Sequence, residues 1–255
     1  MSFVETLEEE GILHLVLNVP EKKNALTDEL RSALRDAVQR SQTNADVRAI
    51  MISGAAGDFC SGGDISAMTG DPDTARKRMQ VLHDTVKLLL AGTKPVVAAV
   101  SGAAFGAGFS LAMCCDQIVA DETSRFSASF GRVGLPPDLA LSFTLPRKVG
   151  DATARRILLS SAILSAAEAA HIGIIDTTVA PEDNVLATAR GVARELAAFT
   201  QQSKGEVKQL ITAAVGDLDA LLEREMNSYI TLLNSHEHTV AREAFMRKSS
   251  RRIGS

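Results

Sequence analysis

The chain has no tryptophan, one tyrosine and three cysteines in 255 residues. With so few stacking platforms and a net charge of −4, it lacks the surface that nucleic acids need, so no nucleic-acid partner is expected. The cysteines, two of them adjacent as Cys114-Cys115, form no disulfide framework and have no zinc-ligand spacing. They read as buried thiols in a reducing compartment, with no metal expected. Hydrophobic residues make up 45% of the chain, yet no run is long and uniform enough to cross a bilayer, so no membrane partner is expected either. The first strand pattern, Gly11-Ile12-Leu13-His14-Leu15-Val16-Leu17, has no basic-then-apolar leader before it, which predicts a cytoplasmic location. Gly102 to Gly108 lacks the G-x-G-x-x-G spacing, and no Gly-Lys-Ser/Thr follows any glycine run. Dinucleotide and phosphate-loop readings therefore fail.

What is present is an alternation of strands and helices. Leu26, Leu30, Ala33, Leu34, Ala37 and Val38 recur at helical spacing around Thr27, a suitable N-cap, and a strand pattern follows at 48–53. Asp71-Pro72 opens a helix over about 73–91 that carries Met79, Leu82, Val86 and Leu89 on one side. Strand patterns return at 95–100 and in Gln117-Ile118-Val119-Ala120, and Ser165-Ala166-Ala167-Glu168 is a capping-box sequence closed by Gly173. The alternation predicts an α/β core over 1–195. Beyond about residue 195 only helical periodicity remains, through Leu210, Leu221-Leu222, Ile230 and Phe245, so 196–255 is expected to form a helical region.

Two loops carry the chemistry. In Val96-Val97-Ala98-Ala99-Val100-Ser101-Gly102-Ala103-Ala104-Phe105-Gly106-Ala107-Gly108 an apolar strand runs into small residues, and a helix over Phe109 to Asp116 follows. Its first-turn N–H groups, at the positive end of the helix dipole, would face any ligand held there. Upstream, the strand at 48–53 leads through Gly54 to Phe59-Cys60-Ser61-Gly62-Gly63-Asp64-Ile65, where small residues again expose backbone N–H. Two such donors converging on one carbonyl oxygen make an oxyanion hole. Taken singly, each loop's glycines are explained by ordinary turns. Together, in this order and with these flanks, they are specific.

Through these loops, together with Asn24-Ala25-Leu26-Thr27, Lys94-Pro95 and Leu111-Ala112-Met113-Cys114-Cys115-Asp116, the chain resembles the enoyl-CoA hydratase/isomerase (crotonase) family over nearly its whole length. The resemblance implies a ClpP-like spiral of repeated ββα units, with 196–255 as the helical trimerisation region of a homotrimer or homohexamer. The alternative for that region is a cap on its own subunit. An acyl-CoA substrate is implied, with coenzyme A as part of the substrate and no separate cofactor. Its thioester oxygen would lie between the N–H groups of Ser61 and Ala107. Ala107 stands where many relatives have Gly, a difference that an ordinary negative φ would make harmless. The CoA moiety would be held by backbone at Lys23, Asn24, Ala25 and Leu26 and by the loop of Ser61, Gly62, Gly63 and Asp64, with Asp64 in a structural role. Lys22, Lys23 and Lys248 are candidates beside its phosphates, although each alone also fits a solvated surface charge. Phe245 matches a family aromatic near the acyl or adenine pocket.

Family hydratases hold a water between two glutamates, and the matching positions here are Ser110 and Phe130, neither of which titrates near neutral pH. In Gly134-Leu135-Pro136-Pro137-Asp138-Leu139, Asp138 instead stands where family isomerases carry an acid, notably those acting on ring-epoxidised phenylacetyl-CoA. The expected reaction is double-bond isomerisation, with Asp138 moving a proton between two carbons activated by the thioester. Asp138 also fits the N-cap of a helix beginning at Leu139. Three other functions stay open: a hydratase with a reduced acid set, an aryl- or acyl-CoA hydrolase or dehalogenase with Asp138 as nucleophile and His83 activating water, and a non-catalytic CoA-binding assembly partner. The dehalogenase reading lacks its tryptophan and offers Phe130. His83 otherwise fits the polar face of a surface helix, and Ser110 either orients a water or bonds backbone. His171, His236 and His238 read as helix-terminal or solvent-facing.

Overall fold

The computed structural model describes residues 2–180, 182–198, 201–213 and 217–253. Two antiparallel strands, β1 (Val4–Glu9) and β2 (Ile12–Leu17), lead into α1 (Asp28–Thr43), which starts where Thr27 Oγ1 accepts the N–H of Leu30 at 3.1 Å. β3 (Ala49–Gly54) is followed by α2 (Pro72–Leu90), with Asp71 capping the N–H of Thr74 at 2.9 Å and Pro72 in the first turn, where its missing N–H costs nothing. Then come β4 (Val96–Val100), β5 (Ala103–Phe105), α3 (Ala107–Met113), β6 (Gln117–Ala120), β7 (Arg125–Ser127), α4 (Leu141–Val149), α5 (Asp151–Ser160), β8 (Leu164–Ser165), α6 (Ala166–His171), β9 (Thr177–Thr178) and α7 (Val185–Ala197). The expected capping box at Ser165 is formed.

Six strands make one sheet in the order β1-β2-β3-β4-β6-β9, parallel from β2 onward, and β5-β7-β8 make a second, smaller one. In the β4-β5-α3 unit the first strand enters the large sheet, the second enters the small one, and the helix, buried along its whole length, follows. The chain repeats this with β6 and β7. After β3, an isolated bridge between Cys60 and Ala104 stands in for the second strand. This is the spiral of ββα units that the resemblance implies.

Strand alternation divides the core between the two faces of the large sheet. Ile50, Ile52, Val96 and Ala98 pack toward α1 and α2, whereas Ala49, Met51, Val97 and Ala99 meet Ala189, Ala193 and Ala197 of α7. The boundary expected at 195 falls inside the last turn of α7, and α8 (Gln201–Ala213), α9 (Leu218–Leu233) and α10 (His236–Ile253) follow. α9 lies on α2 of its own subunit, burying Leu222 and Met226 in the main core. α10 covers the turn at 129–133, where His238 Nδ1 lies 2.6 Å from the carbonyl of Val133. His238 is helix-terminal, in the first turn of α10, but buried instead of solvent-facing, because its helix docks against this turn. Among the described residues no helix is long and apolar enough to cross a membrane.

One buried amide staples the first turn to the loop after β3. Asn24, itself at φ 56°, accepts the N–H of Val19 at 3.0 Å and donates to the carbonyls of Ala55 and Asp58 at 2.9 and 2.7 Å. Removing it strands three backbone groups away from water, so Asn24→Ala should lower the unfolding free energy by roughly 1–3 kcal/mol in urea denaturation, and an unchanged midpoint would contradict this role.

Candidate active site

The two glycine-bearing loops are held together by backbone. Cys60 N–H donates to Ala103 O at 2.8 Å and Phe105 N–H to Cys60 O at 3.0 Å. The approach is close enough to require glycine: a Cβ on Gly108 would lie 2.2 Å from Cys60 O, and one on Gly62, whose φ is +114°, would lie 2.9 Å from Phe105 O and 3.8 Å from Ala107 N. Beside this junction opens a cavity of about 280 Å³ whose wall includes Ser61, Gly62, Gly63, Ala107, Phe130, Asp138, Tyr229 and Phe245.

Ser61 cannot offer the expected N–H. That group donates to Lys23 O at 3.0 Å, and its hydroxyl donates to Lys22 O, also at 3.0 Å. The free donor lies two residues on. Leu26 N–H bonds Gly62 O at 2.7 Å and Asp64 N–H bonds Leu26 O at 3.5 Å, so in this parallel bridge the N–H of Gly63 points the other way. Among the described residues neither Gly63 N–H nor Ala107 N–H has an acceptor. Ala107 has ordinary helical backbone, because Gly106, at φ 51°, takes the left-handed step before it.

Asp138 is buried on the cavity wall, and its Oδ1 has no hydrogen-bond partner. It is not a helix cap. α4 begins at Leu141, the N-cap position is Ala140, and no side chain bonds there. Leu139 and Ala140 both adopt left-handed backbone, at φ 45° and 55°, a conformation that costs a non-glycine residue about 1–2 kcal/mol. This kink separates Asp138 from the helix it was expected to cap. Burial lifts the Asp138 carboxyl well above the usual carboxylate range; the nearby Glu225 carboxylate adds to the effect and the Arg31 guanidinium opposes it.

The other expected residues divide between wall and scaffold. Phe130, Phe245, Leu26, Gly62, Gly63 and Asp64 line the cavity. Asn24 and Ala25 are buried behind it. Asp64 accepts Lys22 Nζ at 2.7 Å and Ser66 N–H at 3.1 Å, a structural use. Lys23 pairs with Asp58 at 3.2 Å, and Lys248 is exposed on α10, away from the wall. Ser110 is buried and its hydroxyl donates to Gly106 O at 3.3 Å, so it bonds backbone. His83 is neither a surface residue nor beside Asp138 in the cavity: it is buried, with Nε2 3.2 Å from Glu225 Oε1.

Sequence reasoning missed Arg31, Tyr229 and Glu225. Arg31 donates to Leu26 O at 2.6 Å and Thr27 O at 3.2 Å from a largely buried position on the wall. Burial, reinforced by the charge of Asp138, pushes the Tyr229 hydroxyl up to about 12, so it stays protonated. Tyr229 is the chain's one tyrosine, and Glu225 lies four residues before it on the same helix face, which was the only available signal.

The family model described as enoyl-CoA hydratase/isomerase matches residues 7–251. The 1,2-epoxyphenylacetyl-CoA isomerase of Escherichia coli strain K12 is 32% identical, over 98% of this chain and 97% of that one. Among solved structures, an enoyl-CoA hydratase from Mycobacterium avium subsp. paratuberculosis K-10 is similar with a TM-score of 0.87 and 29% identity, covering 95% of this chain and 98% of its own. An enoyl-CoA hydratase/isomerase from Pseudoalteromonas atlantica T6c gives a TM-score of 0.86 and 30% identity, covering 97% and 98%. With crotonase-fold neighbours across almost the whole chain and a family match over the same span, this protein belongs to the enoyl-CoA hydratase/isomerase family of enzymes, which act on CoA thioesters.

Proposed function

We propose that the protein is an enoyl-CoA double-bond isomerase in which Asp138 shuttles a single proton. The observation that carries this reading is a buried carboxyl with one oxygen, Oδ1, unpartnered, on the same cavity wall as two backbone N–H groups without acceptors. The thioester oxygen would sit on Gly63 N–H and Ala107 N–H. Each such donor is worth about 2.7–4 kcal/mol of barrier in comparable holes. From a β,γ-unsaturated thioester the Asp138 carboxylate takes the proton on the α carbon, the two donors hold the resulting dienolate oxygen, and the carboxylic acid returns the proton to the γ carbon. The double bond then lies next to the carbonyl. A carboxyl lifted above the ordinary carboxylate range serves both halves of this shuttle better than one at the ordinary value. The isomerase name of the Escherichia coli relative points the same way.

Hydration between two acids needs a second free acid on the wall, and Asp64 is bound to Lys22 and Ser66; water addition by Asp138 alone is told apart from bond migration by its hydroxyacyl product. Hydrolysis through an Asp138 ester needs a water-activating base, and His83 is engaged by Glu225 outside the cavity. The same reading takes the protein as a cytoplasmic homotrimer or homohexamer. Its support is an apolar row on α8, where Val207, Leu210 and Ile211 are 50%, 67% and 63% exposed in the single subunit.

Asp138→Asn should abolish double-bond migration in a panel of enoyl-CoA thioesters while leaving their affinity nearly unchanged. Full turnover in that variant would contradict the assignment. The raised carboxyl also has a stability signature. Its contribution is complete below the unfolded-state value of about 3.9 and is lost as pH rises through the higher folded value. Asn stays neutral throughout, so Asp138→Asn should gain thermal stability relative to the parent protein as pH goes from acid toward alkaline; a gap independent of pH would exclude a perturbed carboxyl. Light scattering at micromolar concentration should give a trimer or hexamer, and a stable monomer would refute that part of the reading.

A further inference from the structure

The peptide unit between Leu139 and Ala140 is held from both sides. Its carbonyl accepts the Cys114 thiol at 3.3 Å, and its N–H donates to Glu225 Oε2 at 3.0 Å. Cys114 sits at the end of α3, the helix that begins with Ala107, and its thiol stays protonated because burial raises it well above the ordinary value. Glu225 comes from α9, and its other oxygen meets His83 Nε2 of α2. This one carboxylate, itself nearly inaccessible, therefore ties together α2, α9 and the left-handed turn that immediately follows Asp138.

The turn has one bond of its own, from Leu141 N–H to Asp138 O at 3.1 Å, but two non-glycine residues in left-handed backbone are costly and need further support. Without a clamp, the 139–140 peptide would relax toward ordinary backbone and swing the Asp138 side chain with it. Resting on the isomerase reading above, we infer that Glu225 is a positioning residue for Asp138: through Ala140 N–H it fixes the turn that aims the acid into the cavity, so the C-terminal helices complete the site within one subunit.

The clamp also carries charge. The groups that face Asp138 are Arg31 from α1, Glu225 and Tyr229 from α9, Cys114 from α3 and Cys60 from the first loop. Those that face Glu225 are His83, Asp138 and Cys114. Among them Glu225 is the carboxylate that pushes the Asp138 acid upward, and Arg31 pulls it down.

Two substitutions separate the parts. Glu225→Gln keeps an oxygen for Ala140 N–H but removes the charge, so Asp138, followed by carboxyl-carbon NMR, should titrate at lower pH than in the parent, and the acid limb of the kcat profile should move the same way. Glu225→Ala removes the clamp, so kcat should fall by ~10–100-fold with KM nearly unchanged, as expected for a displaced acid, and Glu225→Gln should recover most of that loss above the acid limb. An Ala variant that folds and turns over like the parent overturns the inference. So does a Gln variant whose Asp138 titrates as in the parent, and this second readout needs neither turnover nor a folded Ala variant. Turnover surviving in Asp138→Asn would instead remove the isomerase reading, while the NMR titration would still report on the clamp.

Discussion

The pairing of Cys60 with Ala104 is the constraint on which the rest of the site depends. Two loops from the ends of different parallel strands could each present N–H groups to solvent and stabilise nothing jointly. Here the bonds from Cys60 to Ala103 and from Phe105 to Cys60 force the loops into contact, and Gly108 allows that contact because any side chain there would meet Cys60 O. The second pairing, of Leu26 with Gly63, then decides which N–H of the first loop turns toward the cavity. Both are ordinary sheet hydrogen bonds, used to orient donors in place of extending a sheet.

Against this polar junction stands an acid that the fold isolates. The surroundings of Asp138 withhold what usually keeps a carboxylate ionised: the side chain is buried, Oδ1 has no donor, and the Glu225 carboxylate lies nearby. Arg31 moderates this from α1 but spends its bonds on the carbonyls of Leu26 and Thr27. An arrangement that leaves one oxygen of a buried carboxyl without a partner costs stability, and it makes sense where that group must gain and lose a proton.

Much of this was legible in the sequence wherever the signal was local. The starts of α1 and α2 follow from Thr27 and Asp71, the capping box from Ser165 and Glu168, and the small-residue loops from their own composition. The place of Asp138 on the cavity wall was legible through the family pattern, but its surroundings were not. Proline 136 and 137 suggested a helix start at Leu139, and the left-handed pair at 139 and 140 delayed it by two residues. The sequence points to Ser61 in place of the actual free donor because a run of small residues does not reveal which N–H groups are already bonded; that depends on pairing with residues near 23 and 26, about forty positions earlier. Glu225 and Tyr229 were invisible for a similar reason. Periodicity shows that α9 is amphipathic, but only its docking on α2 shows that the buried face reaches the cavity.

The central claim is that one carboxyl takes a proton from one carbon and gives it to another. The most direct test follows a β,γ-unsaturated acyl-CoA deuterated at the α carbon, under single-turnover conditions in ordinary water. Transfer by Asp138 predicts a conjugated product carrying part of the label at its γ carbon. A product formed only by addition of water, or a γ carbon that draws its hydrogen entirely from solvent, would contradict the account.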